Sequence, residues 1–293
     1  MLPSVWVIGD ALLDVHVTPS TPLEAGTDRP ATVRLEPGGQ GANLAVRLAR
    51  RGVSVRLTCA LADDTAGGML RAALTADGVK VHAAASAATG VVVVLVAADG
   101  DRTMLSQRIA LLDSADPLNP VEAPWAMLSG YLLLELGASR LPALVAGSAR
   151  RAVAGCALAA DQVDAWSSAL RALAPDLLVV NRNEASMLAG EKTNLGTLAT
   201  VVVVTEATGV TATVGGRSTR VDVPAGEPAA DTTGAGDAFM AALLAELLDE
   251  AWPPMPEPLT RALHAASRLA SAVARTLGAQ GRVLDEPTAT LST

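Results

Sequence analysis

Short apolar runs alternate along the chain with stretches in which apolar positions recur every three or four residues. Continuous apolar runs bounded by turn residues read as strands buried on both faces, and the 3.6-residue period reads as helices covering them. Residues 5–9 open as such a strand. Residues 41–51 carry Leu44, Ala45, Leu48 and Ala49 on one side, with Gly52 placed to close a helix. A strand at 53–59 and a helix at 67–76, ended by Asp77-Gly78, come next. Further strands are predicted near 157–160 and at 177–180 and 199–205, and helices near 141–151, 184–189, 237–250 and 259–277. This order predicts an α/β fold with a central, mainly parallel sheet flanked by helices.

Two stretches interrupt the alternation. Residues 16–35 are polar and rich in Thr and Pro, and residues 90–108 read as a hairpin turning at Asp99-Gly100-Asp101. Together they predict a small β-sheet lid, drawn from about 14–35 and 90–108, on a single domain spanning 1–293.

Composition narrows the classes. The 293 residues are 50% hydrophobic and carry a formal net charge of −8, which argues against a surface for nucleic acid or anionic lipid. No apolar run approaches the ~18 residues of a membrane span, and no basic segment precedes the first apolar stretch. Cys59 and Cys156 are too few for a disulfide framework, so a cytoplasmic protein is expected. Lysine occurs only at Lys80 and Lys192, which limits mechanisms built on that side chain.

The most informative segment is Asp231-Thr232-Thr233-Gly234-Ala235-Gly236-Asp237-Ala238-Phe239, which precedes an amphipathic helix. Gly-Ala-Gly at a helix start leaves backbone N–H groups uncovered, and these with the helix dipole make an anion site. A carboxylate directly after such a site is misplaced unless it touches a nucleophile while the amides hold a transferring phosphoryl group. On its own the segment also reads as an acidic residue in a first helical turn. A second glycine-rich turn, Gly38-Gly39-Gln40-Gly41-Ala42-Asn43, lets a small polyhydroxylated ligand approach the backbone. There the Asn43 amide serves either as a hydroxyl partner or as a helix cap.

These two segments, in this order, resemble the signature regions of the ribokinase-like (PfkB) carbohydrate kinases. The resemblance implies the α/β fold with a β-sheet lid, and ATP-dependent phosphorylation of a hydroxymethyl group. It implies that Asp237 is the catalytic base and that Gly234, Ala235 and Gly236 form the anion hole. Gly9-Asp10-Ala11-Leu12-Leu13-Asp14 resembles the first strand of the family, whose terminal Asp binds sugar hydroxyls; Asp14 is the first candidate and Asp10 the second. With Gly38, Gly39 and Asn43 they make the acceptor side. Arg102-Thr103-Met104 resembles a lid segment, so Arg108 faces either the substrate or the lid surface.

Asn181-Arg182-Asn183-Glu184 matches an Asn-x-x-Glu element that organises Mg2+ and phosphates, usually through water, and a capping pair is the alternative. On the nucleotide side the resemblance also implies Thr205, Gly209, Gly236 and Gly278. A glycine usually follows that Thr by two residues, whereas here it arrives at Gly209, and the stretch between Glu184 and Thr205 is short. Asp231 stands where a monovalent cation is held, but Arg282 replaces a small hydroxyl residue, which speaks against a potassium requirement. Lid strands in this family often pair across a dimer, and a monomer is equally compatible.

Other enzyme classes lack their signatures. Gly190-Glu191-Lys192-Thr193 is not a P-loop, and no Gly-x-Gly-x-x-Gly follows the first strand. His16, His82 and His264 are scattered, and no nucleophile elbow occurs. The acceptor is then a small sugar or sugar acid, with a nucleoside as runner-up; a non-catalytic sugar- or nucleotide-binding regulator is the rival of a different class.

Overall fold

A computed structural model describes residues 4–96, 102–111, 120–189, 194–223, 233–276, 278–281 and 283. The main sheet has nine strands: β1 (Val5–Ile8), β4 (Val55–Leu61), β5 (Lys80–Ala85), β8 (Ala123–Leu128), β9 (Ser148–Ala154), β10 (Leu177–Asn181), β11 (Val201–Glu206), β12 (Gly209–Val214) and β13 (Arg217–Asp222). Their spatial order is β13-β12-β11-β10-β9-β8-β1-β4-β5. Pairing is parallel from β5 to β11 and antiparallel across β11–β12–β13.

Helices cover both faces. Val5 and Val7 of β1 face a layer built on α1 (Gln40–Arg50), α2 (Thr65–Ala76), α6 (Ala235–Leu247) and α7 (Pro256–Val273). Trp6 and Ile8 face the opposite layer of α3 (Gly130–Leu144), α4 (Val163–Leu173) and α5 (Arg182–Ala189). Leu177 and Val179 of β10 divide from Leu178 and Val180 in the same way. Alternate side chains thus enter two different cores, which is why these strands are apolar throughout.

The remaining strands, β2 (Leu12–Pro19), β3 (Ala31–Gly38), β6 (Gly90–Val96) and β7 (Arg102–Gln107), form a separate sheet in the order β3-β2-β6-β7. Its β2–β6 pair is parallel and its outer pairs antiparallel. Leu12, Val92 and Val94 make a small core on one face, while Val33, Leu35, Met104 and Leu105 leave half or more of their surface exposed.

The sequence expectation of an α/β fold with a small β-sheet agrees with this architecture. The region from 120 to 160 differs from it. The predicted helix at 141–151 stops at Leu144 with α3, and residues 148–154 are strand β9. Arg150 and Arg151 look like a polar helix end, but the Arg150 guanidinium lies over the rings of Trp125 and Trp252, and Arg151 N–H donates to Asp176 at 2.8 Å. Residues 157–160 are accordingly not a strand. The predicted turn at Asp99-Gly100-Asp101 lies outside the described residues.

Candidate active site

The parallel strands deliver their carboxyl ends to one side of the sheet, where open α/β sheets bind ligands. Gly9 and Asp10 follow β1, Ser129 follows β8 and Gly155 follows β9, while Asn181 ends β10 and Thr205 stands next to the end of β11. Two glycine-rich turns bring α1 and α6 onto that edge.

Gly39 has φ +92° and caps the start of α1. A Cβ on Gly41 would lie 2.7 Å from the Gly9 carbonyl carbon, so only a bare backbone lets α1 close on β1. Gln40, the first helical residue, bonds across two strand ends. Its Oε1 accepts from Ser129 Oγ at 2.7 Å and from Gly130 N–H at 2.9 Å, and its Nε2 donates to Gly155 O at 2.6 Å.

Asn43 lies inside α1 and is not its cap. Its Nδ2 donates to Asp237 Oδ2 at 2.9 Å, and its Oδ1 accepts from Gln280 Nε2 at 3.0 Å. Of the two sequence readings of Asn43, the helix cap is therefore excluded. Asp237 occupies the first turn of α6 behind Gly234, whose φ is +77° and which supplies no side-chain cap. Gly236 is exposed, and a Cβ there would meet nothing within 4 Å. The leading amides of α6 therefore open onto space. Burial raises the Asp237 carboxyl to about 6, with Asp10 adding to the rise and Asn43, Gln40 and Arg47 opposing it.

The loop at 278–281 backs this turn. A Cβ on Gly234 would lie 2.8 Å from Ala279, and Gly278 has φ +81°. Two arginines of α1 hold the loop. Arg47, wholly buried, donates to Ala279 O at 2.8 Å, and Arg50 donates to Gln280 O at 2.8 Å while gripping Asp77 through two bonds of 2.9 Å.

A cleft of about 100 Å3 is lined by Gln40, Gly155, Asn181, Glu184, Thr205, Gly236 and Asp237, among others. Asn181 and Glu184 form a reciprocal cap: Asn181 N–H donates to Glu184 Oε2 and Glu184 N–H to Asn181 Oδ1, each at 2.9 Å. Burial raises the Glu184 carboxyl to about 7, the Asn181 bond opposing. The capping alternative is thus present in the geometry, on a carboxylate that also lines the cleft. Gly209 begins β12 beneath Arg220 and is not among the lining residues, nor is Gly278, which touches Glu36 of β3. Asp231 and Arg282 lie outside the described residues.

A larger cavity of about 340 Å3 lies at the end of β1. It is lined by Asp10, Arg108, Tyr131 and Glu135 and by an apolar wall that includes Leu111 and Leu132. Gly41 N–H donates to Asp10 Oδ1 at 3.3 Å, so the α1 start that carries Gln40 to the smaller cleft also holds Asp10 at the larger cavity. Arg108 lines the cavity with about a third of its side chain still exposed; it pairs with Asp10 Oδ2 and stacks 3.9 Å from the Tyr131 ring centroid. Asp14 is buried nearby, directly opposite Glu36 in the β2–β3 ladder. Burial raises its carboxyl to about 7; Asp10 and Glu36 add to this and Arg108 opposes it. Gly38 is required there, since its Cβ would fall 2.1 Å from Asp14 Oδ2.

Sequence reasoning gave no role to Gln40, Arg47, Glu36 or Tyr131. Two signals were available. Arg47 lies one helical turn from Asn43 in an otherwise apolar run, and Tyr131 is the single tyrosine of the chain.

Several solved structures share this architecture. Ribokinase from Giardia lamblia superposes with a TM-score of 0.76 at 18% identity, covering 96% of this chain and 97% of that one. Adenosine kinase from Sinorhizobium meliloti gives 0.74 at 20% identity, covering 97% of each chain. Fructokinase with bound ATP from Xylella fastidiosa gives 0.73 at 20% identity, covering 95% of this chain and 94% of that one. At these identities the likeness is one of fold. No curated protein sequence matches. A family model described as pfkB family carbohydrate kinase matches residues 2–286.

Proposed function

The chain belongs to the pfkB family of carbohydrate kinases, and from that premise we propose that it transfers the γ-phosphoryl group of ATP to a hydroxymethyl group, with Asp237 as the base. The observation that carries this reading is the meeting of Asp237, the uncapped start of α6 and a cleft at one point. The acceptor hydroxyl gives its proton to Asp237 and attacks the γ-phosphorus in line as the bond to the bridging oxygen breaks and ADP leaves, while the amides at Gly234, Ala235 and Gly236 meet the growing negative charge. Asn43 holds the carboxylate in place and favours its ionised form.

Asn181, Thr205 and Gly236 lie along the phosphate path. Glu184 fits a hydrated Mg2+, because one oxygen is engaged by Asn181 N–H and phosphates supply further ligands. When bound, the metal screens charge on the phosphates. The acceptor, a small sugar or sugar acid, lies between the larger cavity and Asp237, with Asp14 accepting from its hydroxyls under the small sheet as a lid. The apolar wall of Ile109, Leu111, Leu132 and Leu134 favours a nucleoside as the second reading. Exposed Val33, Leu35 and Leu105, which share one face of the small sheet, support a homodimer through the lid; Leu105→Glu should return it to a monomer in sedimentation.

The test is ADP release from Mg-ATP with a panel of sugars, sugar acids and nucleosides. Turnover that requires one acceptor class is expected. Tight ATP binding without turnover on any acceptor would favour a regulator.

A further inference from the structure

An arginine in an acceptor pocket suggests an anion receptor, but the surroundings of Arg108 argue the opposite. Its guanidinium already pairs with Asp10 Oδ2, and one face is covered by the Tyr131 ring. Asp10 is fixed in turn, since its other oxygen accepts from Gly41 N–H and its side chain is largely buried. The cavity lining adds Glu135, so two carboxylates line it beside one guanidinium, and Asp14 is buried nearby.

We propose that the Asp10–Arg108 pair makes the acceptor site selective for uncharged polyhydroxyl compounds, with Asp10 as the residue that excludes sugar acids. This rests on the kinase reading and decides the substrate class of that same site. An anionic acceptor would have to draw Arg108 away from Asp10, leaving a largely buried carboxylate without its cation beside a second negative charge. A neutral sugar pays neither penalty, because carboxylates and the guanidinium edge all accept or donate bonds to hydroxyls. Asp10 therefore acts by cancelling the charge of Arg108.

The experiment compares kcat/KM and calorimetric binding for D-ribose, D-fructose and adenosine with those for D-gluconate and 2-keto-3-deoxy-D-gluconate. The wild-type chain should favour its best uncharged acceptor by roughly 10- to 100-fold. Asp10→Asn keeps an oxygen for Gly41 N–H but frees the charge of Arg108, and should narrow that ratio at least about tenfold by gaining on the acids. Arg108→Gln should leave the acids rejected.

A wild-type chain that binds or phosphorylates an acid as well as any neutral acceptor overturns the proposal and leaves the kinase reading standing. So does a folded Asp10→Asn variant that gains nothing on the acids. Binding of neutral acceptors over acids without phosphorylation supports the selectivity and removes the kinase reading instead.

Discussion

Asn43 and Asp237 are 194 positions apart in the chain and meet through one hydrogen bond of 2.9 Å, from the Asn43 amide to Asp237 Oδ2. Gln280 donates to the opposite end of the same amide, so the NH2 group can face only the carboxylate. One side chain of α1 therefore fixes both the rotamer and the charge preference of the proposed base.

Replacing Asp237 with Asn should lower kcat by roughly 10²–10⁴, with nucleotide affinity nearly unchanged, as for loss of a general base. Steady-state kinetics with calorimetric ATP binding checks this. A loss under about tenfold would assign the proton to another group.

The pH profile should fall on the acid side near pH 6, where Asp237 takes up its proton. Asn43 lowers that value by donating to the ionised carboxylate, so Asn43→Ala should move the acid limb to higher pH and reduce kcat below it. A profile that stays in place would show that Asn43 does not act through the base.

Asp14 and Glu184 are both raised to about 7 by burial. The folded chain thus keeps protons that the unfolded chain releases between about pH 4 and 7, and stability falls across that window as pH rises. Glu184→Gln retains an acceptor for Asn181 N–H and should stabilise the ligand-free protein at pH 8 by on the order of 2 kcal/mol, with little gain at pH 4. Thermal melts at the two pH values test it. The same variant should need more Mg2+ for half-maximal activity; an unchanged metal titration would leave Glu184 only its capping role.

Gly38→Ala places a methyl group within the space of the Asp14 carboxylate. The acceptor KM should rise about tenfold or more while the ATP KM changes little. Equal changes in both would indicate general loosening.

Arg47→Met leaves Ala279 O without its buried donor, at a cost of about 1–3 kcal/mol in stability. Because Ala279 abuts Gly234, the nucleotide KM should rise as well. Arg47→Lys, which still carries a donor, should recover part of both effects.

The fold was legible because its strands are buried on both faces: Val5 to Ile8 and Leu177 to Val180 are apolar without a break, and that pattern exists before any contact forms. The two glycine-rich turns were legible for a similar reason, since backbone that must approach other backbone admits no Cβ, and this is written in residue identity. Residues 148–154 were misread because the Arg150 guanidinium is covered by Trp125 and Trp252 and the Arg151 backbone N–H donates to Asp176, none of them local.

Side-chain partners were decided by the tertiary structure. The sequence marks Asn43 in a glycine-rich turn, Asp10 at the first strand and Arg108 beside a lid segment. It does not say that Arg108 pairs with Asp10 across the cavity, or that Asn43 reaches Asp237. Local pattern is set by burial and backbone sterics, which act within a few residues. Charge pairing and proton affinity depend on which groups the folded chain brings within a few ångströms, and that is settled only when the strand ends and both helix starts converge.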